Sequence, residues 1–166
     1  MKHIARYAAA LTLSLACGAN AQDDVFVTFK VMKPEIALRA ALAAMQDCRD
    51  KGYQVGVSVV DRFGLPQVFI RDQYAGNHVY ETAFRKAWTA VSFRSSTLDL
   101  ASNTAPGTIS AAIRDLEKPL ALGGGVPIDA GGTMVGGIGV SGAPSPEFDD
   151  ACAHAGIDAI EDEIGF

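Results

Sequence analysis

The sequence predicts an α+β fold: an antiparallel sheet of about five strands with helices, in a single compact domain. Three observations carry this. Hairpin signals bracket a helical middle, which sets strands in neighbouring pairs and not in βαβ units. Val55, Val57 and Val59 alternate with the period of a strand. Beyond an N-terminal leader the chain has 145 residues, Gln22 to Phe166, which suits one domain with one core.

Residues 1–21 read as a secretory signal peptide. Lys2 and Arg6 give a positive start, "AAALTLSLACGA" an apolar middle, and Ala19-Asn20-Ala21 a small-residue cleavage site. The apolar run is too short to cross a bilayer as a helix, so no membrane span is expected. "SLAC", Ser14 to Cys17, is a weaker lipoprotein-like alternative. The expected location is periplasmic or secreted.

"KPEIALRAALAAMQDCRDKG" follows as a helix, with Pro34 near its first turn and Gly52 at its stop. Leu38, Leu42, Met45 and Cys48 recur at three and four, which predicts the buried stripe. "YQVGVSVVD" is a strand, "DRFGLP" a turn and "QVFIRD" the returning strand. Asp61 ends the first strand, where its carboxylate suits a turn cap better than a catalytic base. After the polar loop "QYAGNH", "HVYETAFRKAWTAVSF" reads as a helix with Val79, Phe84, Ala87, Trp88 and Val91 on one face. Ser95 or Ser96 caps a short helix through "TLDLASN", and "TISAAIRDLEK" predicts another, ended by Pro119. "GGVPI" and "TMVGGIGVSG" are strands about the turn "DAGG". "SPEFDDACAHAGIDAIEDEIGF" is the last helix, opened by Pro146 with Glu147, Asp149 and Asp150 as helix-start charges.

The stretch "GGGVPIDAGGTMVGGIGVSG" holds nine glycines in twenty residues, and Gly137, Gly139 and Gly142 spell GxGxxG. A dinucleotide site needs that motif between a strand and a helix, with a second strand and an acidic residue about 20 residues on. Only 24 residues follow Gly142, and they hold one helix. The motif is therefore not a nucleotide loop. Glycines within a strand let another backbone or a flat ligand come close. Gly136, Gly137 and Gly139 leave a bare stretch of sheet, and either a helix or a planar ligand must lie across it.

Removing Lys2 and Arg6 leaves 12 Lys and Arg against 19 Asp and Glu, a net charge of about −7. With no basic stripe, nucleic acid is excluded as a partner. Cys17 falls within the leader, so Cys48 and Cys152 remain, as one disulfide or as two buried thiols. Suppose the first and last strands are antiparallel neighbours and both flanking helices cover one face. The end of the first helix then meets the start of the last, which brings Cys48 to Cys152.

Catalytic templates fail. There is no Cys-x-x-Cys or His-x-x-x-His pair, and Ser141 lacks the G-x-S-x-G elbow. His78, at the loop-to-helix junction "AGNHVYE", carries an imidazole suited to an iron or to a ligand hydrogen bond, with an exposed helix-start histidine as the plain alternative. His154, in the last helix, reads as a partly buried structural histidine.

The order "VVDRFGLPQVFIRD", "AFRKAWTA", "GGGVPIDAGGTMVGGIGVSG", "DDACAHAGIDAI" resembles the heme-binding GlcG/HbpS family from about Pro34 to about Ile160. Its motifs V-V-D-x-x-G, K-A-x-T-A, G-G-x-P and V-G-G-I-G-V-S-G occur in sequence at similar spacing. The resemblance makes residues 22–166 one GlcG/HbpS-like domain, implies homo-oligomers, and makes heme the expected small planar ligand. Some secreted members are implicated in heme or iron handling and redox sensing, and related domains are fused to corrinoid-processing enzymes. The resemblance favours His78 as a metal ligand. It places Lys86 at the motif lysine, where it can meet a heme propionate. Because a threonine hydroxyl ligates iron in part of the family, it also nominates Thr108. The expected function is therefore an exported small-ligand-binding protein, with an enzyme acting on a small organic acid or cofactor-like molecule as the alternative.

Overall fold

The computed structural model describes residues 25–165. The signal-peptide expectation at 1–21 lies outside the described residues. Helix α1 spans Pro34–Asp50, strands β1 and β2 span Gly56–Asp61 and Pro66–Arg71, and helices α2 and α3 span Val79–Phe93 and Thr97–Asn103. A short 3-10 helix covers Ala111–Asp115. Strands β3 (Gly125–Ala130) and β4 (Thr133–Ser141) precede helices α4 (Pro146–Asp158) and α5 (Glu161–Ile164).

The sheet has four strands in the order β2-β1-β4-β3, every neighbouring pair antiparallel. The α+β antiparallel expectation holds, with four strands in place of about five. The glycine-rich region makes one hairpin about Gly131-Gly132 and no third strand. Val57 sits opposite Val140 and Val59 opposite Ile138. These four, with Val126 and Ile128, face α1 and α4, whose small residues Ala37, Ala40, Ala41, Ala44 and Ala153 let both helices lie close to the sheet.

The opposite face answers the glycine question. A Cβ on Gly139 would stand 2.1 Å from the Ala83 carbonyl oxygen, and one on Gly137 would stand 2.7 Å from Val91 Cγ2. What lies across Gly137 and Gly139 is α2, not a planar ligand, whereas a Cβ on Gly136 would instead meet the Val60 carbonyl oxygen of β1 at 2.5 Å.

Several local expectations hold for physical reasons. Asp61 Oδ1 accepts from the backbone N–H of Phe63 and of Leu65, closing the β1–β2 turn. Ser96 caps α3 by accepting from the Asp99 N–H. Cys48 and Cys152, both fully buried, form a disulfide with Cα atoms 5.6 Å apart. It pins the last turn of α1 to the first turns of α4, because β1 and β4 are neighbours and both helices cover one face.

Other expectations are corrected. The buried stripe of α1 is Ala37, Ala40, Ala41, Ala44, Met45 and Cys48, while Leu38 and Leu42 are exposed. Close helix–sheet packing selects the alanines and turns the larger leucines outward. "TISAAIRDLEK" forms only the 3-10 helix: Ile109 is fully exposed, so the segment has no core against which to stabilise a longer helix. The last helix breaks at Ala159, and Ile160 turns into the core.

Candidate functional site

Helix α2 presents three faces. Val79, Ala83, Ala87 and Ala90 face the sheet. Tyr80, Phe84 and Trp88, four apart, run along the flank toward β2. His78, Thr82 and Lys86, also four apart, line the other flank. The third face forms one wall of a cleft of about 380 Å³, closed opposite by Ser141–Pro146 and by Asp149. A second opening of about 430 Å³ lies between residues 30–33 and α5, and it holds neither histidine nor the buried ion pair.

Lys86 forms the cleft floor. Its side chain is 1% exposed, and its Nζ donates to the Val140 carbonyl at 2.9 Å and to Asp149 Oδ2 at 2.7 Å. Asp149 Oδ1 accepts from the Ala143 N–H at 2.9 Å, so one carboxylate holds both the lysine and the loop leaving β4. That loop turns at Gly142, whose φ of +128° is a conformation that side chains disfavour. The neighbouring Asp150 accepts from the Gly124 N–H at 3.3 Å. Burial lowers the Lys86 ammonium below the usual lysine range, and the charge of Asp149 opposes that. Burial likewise raises Asp149 above the usual carboxylate range, and Lys86 opposes it. The 2.7 Å contact and the further hydrogen bonds that each group makes, to Val140 and to Ala143, offset the cost of burying the two charges.

His78 stands at the cleft mouth, at the N-terminal boundary of α2, and is exposed. Its ring lies in the room that Gly76 leaves: a Cβ there would sit 2.7 Å from both Cε1 and Nδ1. The Thr82 hydroxyl lies 3.0 Å from the His78 carbonyl and 2.7 Å from the Ser141 hydroxyl, linking the helix start to β4. The cleft thus offers an accessible imidazole above hydroxyls and a buried, internally neutralised ion pair. It can take a group that seeks a nitrogen donor, while the Lys86 ammonium is already engaged.

The structure brings two of the three sequence-derived candidates together. His78 and Lys86 share the cleft. Thr108 lies outside it, on an exposed turn where its hydroxyl donates to the Ala105 carbonyl at 2.9 Å. His154 is 55% exposed, not partly buried, with Nε2 3.4 Å from Asp150 Oδ2 on the next turn of α4. Asp149, Thr82 and Ser141 were missed. Thr82 was findable, being one turn from both His78 and Lys86; Asp149 read as a helix-start charge, and nothing local announced its partner. Among the described residues no group of three or more His, Cys, Asp or Glu could hold a metal ion. Among them, too, no helix is long and apolar enough to cross a membrane.

Comparison with known proteins places this fold among relatives. A family model described as "Haem degrading protein HbpS-like" matches residues 32–158. A double mutant of HbpS from Streptomyces reticuli superposes with a TM-score of 0.77 at 36% identity, covering 92% of this chain and 99% of that one. The structure of a PduOC:heme complex superposes at 0.73 with 30% identity, covering 79% and 96%. The corrinoid adenosyltransferase PduO of Salmonella typhimurium is 36% identical over 123 residues, which is 71% of this chain. The chain spans only about a third, 35%, of that relative's length.

Proposed function

The chain belongs to the HbpS-like family, and from that premise we propose that it binds heme, with His78 as iron ligand at the mouth of the cleft between α2 and the β4–α4 loop. The single observation that carries this is an exposed imidazole over a built cleft, in a fold shared with a protein solved in complex with heme.

The residues present fit the group. An imidazole nitrogen is a common donor to heme iron, so His78 would hold the group. His78 is the one histidine that the cleft contains, and the 141–146 loop facing it is held in place by Asp149. Bound heme would supply an iron centre able to bind and exchange a ligand. The protein's own part is to aim one nitrogen, to keep the 141–146 wall fixed, and to neutralise Lys86 internally so that the floor presents no net charge. Lys86 then contributes by shaping the site through Asp149. Thr108 is the second candidate for an iron contact, from outside the cleft.

The finer reading is an exported heme-binding protein acting in heme or iron handling or redox sensing. Lys2, Arg6, the apolar run and Ala19-Asn20-Ala21 support export, and a buried disulfide suits an oxidising compartment. Protein recovered from the periplasm is expected to begin at Gln22, and an intact Met1 there would overturn the export reading.

Hemin titration tests the binding reading. A Soret band that develops to saturation in the wild type should weaken or shift in His78→Ala and persist in His154→Ala. A Thr108→Val variant reports on the second candidate. Equal and negligible effects of the His78 and His154 changes would remove His78 from the site. No saturable Soret change in the wild type would remove heme.

A further inference from the structure

The opening of about 430 Å³ between residues 30–33 and α5 is built from separate parts of the chain. Its floor is apolar. Met32, Ala130 and Val135 are buried in the core that α1 and α4 cover, and the half-buried Ile36 and Ile164 pack against that core. Both walls are pinned. The Met32 carbonyl accepts from Gln67 Nε2 of β2 at 2.8 Å, which ties the extended 30–33 stretch to the sheet before Pro34 starts α1. On the other side, Glu163 of α5 pairs with Arg39 of α1, and Ile160 anchors the start of α5 in the core. The space is therefore preformed, and its size falls in the usual range of small-molecule sites, about 300–1,000 Å³. It lies beside the β3–β4 turn, whereas the His78 cleft opens at Ser141, the other end of β4. The strand from Val135 to Ser141 spans about 20 Å.

The charges around this trough are sorted by wall. Lys30 and Lys33 line the 30–33 side. Glu163 on the α5 side is held by Arg39, and Glu161 and Asp162 beside it make the first turn of α5 acidic. Two ammonium groups thus flank an apolar floor on a chain whose net charge is −5. We propose that the trough is a second ligand site, for an amphiphilic monocarboxylate: a medium-length alkyl chain or an aromatic ring system that ends in one carboxylate. The apolar body covers Met32, Val135 and Ile164, and the carboxylate turns toward Lys33 and Lys30. The opposite wall rejects the neighbouring classes. A dicarboxylate would set its second charge against the acidic turn of α5. A cationic head would find Glu163 already taken by Arg39, and a small hydrophilic anion would leave the apolar floor in contact with water. Lys33 is exposed, so its attraction for the head is screened and modest, and most of the affinity comes from burying the body. The charge then selects among ligands of similar shape. No part of this site uses His78 or α2, so it stands whether or not heme binds.

Fluorescence titration of the disulfide-intact protein, without hemin, tests this with two dyes that share one ring system: the anionic anilinonaphthalenesulfonate and the uncharged phenylnaphthylamine. The wild type should bind both saturably, the anionic dye more tightly, and decanoate should displace them. Lys33→Glu, a charge reversal at an exposed position, should weaken the anionic dye and decanoate by about three- to tenfold and leave the uncharged dye unchanged. Ile164→Trp, which puts a bulky ring into the trough, should abolish saturable binding of both dyes with an unchanged circular-dichroism spectrum. If Ile164→Trp fails to fold, the contrast between the two dyes in Lys33→Glu decides the matter. Dye binding that neither folded variant alters, or an equal loss of both dyes in Lys33→Glu, overturns the proposal. So does a wild type that shows no saturable signal with either dye. Dye binding that decanoate does not displace overturns the carboxylate class.

Discussion

Lys86 and Asp149 join the two helical layers around the end of β4: the lysine comes from α2 on one face of the sheet, the aspartate from α4 on the other, and they meet 2.7 Å apart. Neither has another charged partner at that distance, and both side chains are more than nine-tenths buried. Removing one leaves the other a buried charge without its countercharge, which typically costs about 3–5 kcal/mol. Asp149→Asn should therefore lower stability by about that much in chemical denaturation, and it should loosen the 142–145 loop by weakening the bond to the Ala143 N–H. Lys86→Met should cost a similar amount. A loss below about 1 kcal/mol from either would show that water reaches the pair.

The pH dependence of those two losses should have opposite signs. Burial raises the Asp149 carboxyl and Lys86 opposes that rise, so Lys86→Met should raise it further. A group whose folded pKa exceeds its unfolded one favours the fold in its protonated form, and that favour is lost as pH rises through the folded value. The Lys86→Met penalty should thus be largest near neutral pH and shrink on acidification. In Asp149→Asn the lysine is left alone, and burial lowers its pKa. That penalty should instead shrink as pH climbs toward the lysine range. Stability measured across pH for both variants against wild type checks this, and parallel curves would contradict it.

The Cys48–Cys152 bridge closes a span of 104 residues. In the chain-entropy model a loop of that length stabilises by up to about 4–5 kcal/mol, mainly by restricting the unfolded chain. Unfolding the oxidised and reduced forms of the same wild-type protein measures this without a mutation, and the reduced form should melt roughly 10 °C lower. Both cysteines are joined in the bridge, so denaturing, non-reducing conditions should release no thiol from either. Two free thiols in protein recovered from the periplasm would refute the bridge.

Much of this fold was legible because its signals are local or follow from topology. Asp61 sits two and four residues from the N–H groups it caps, and the valine alternation of β1 is its own pattern. The disulfide followed from two conditions, that the first and last strands are neighbours and that both flanking helices cover one face, and the structure meets both. The Lys86–Asp149 pair was illegible for the converse reason: the two are 63 residues apart, and each alone looks like an ordinary helix charge. Leu38 and Leu42 misled because size and hydropathy favour leucine for a core stripe, while a helix pressed against a sheet selects alanine. His78 was visible at the start of its helix, but the cleft beneath it depends on a loop more than 60 residues away. Thr108 entered by resemblance alone, and it is not among the residues that line that cleft.

Gly139 offers the sharpest test of how α2 is seated. A Cβ there would stand 2.1 Å from the Ala83 carbonyl oxygen and 2.7 Å from the Ala87 nitrogen. Both are backbone atoms of the helix, so no side-chain rotation relieves the clash, and α2 itself must lift from the sheet. Overpacking of a core typically costs about 1–3 kcal/mol, and a clash with backbone belongs at the top of that range or above it. Gly139→Ala should therefore destabilise strongly in chemical denaturation. It should also disturb the His78 cleft, because Thr82 and Lys86 ride on the same helix and meet Ser141 and Val140 only while it stays down. Gly132, in the β3–β4 turn, has nothing within 4 Å of the corresponding Cβ, and alanine there should carry only the strain of its positive φ. Hemin titration and denaturation of the two variants separate the effects: Gly139→Ala should change both readouts and Gly132→Ala only the second. Equal, small effects from the two would mean that α2 does not rest on β4 as described.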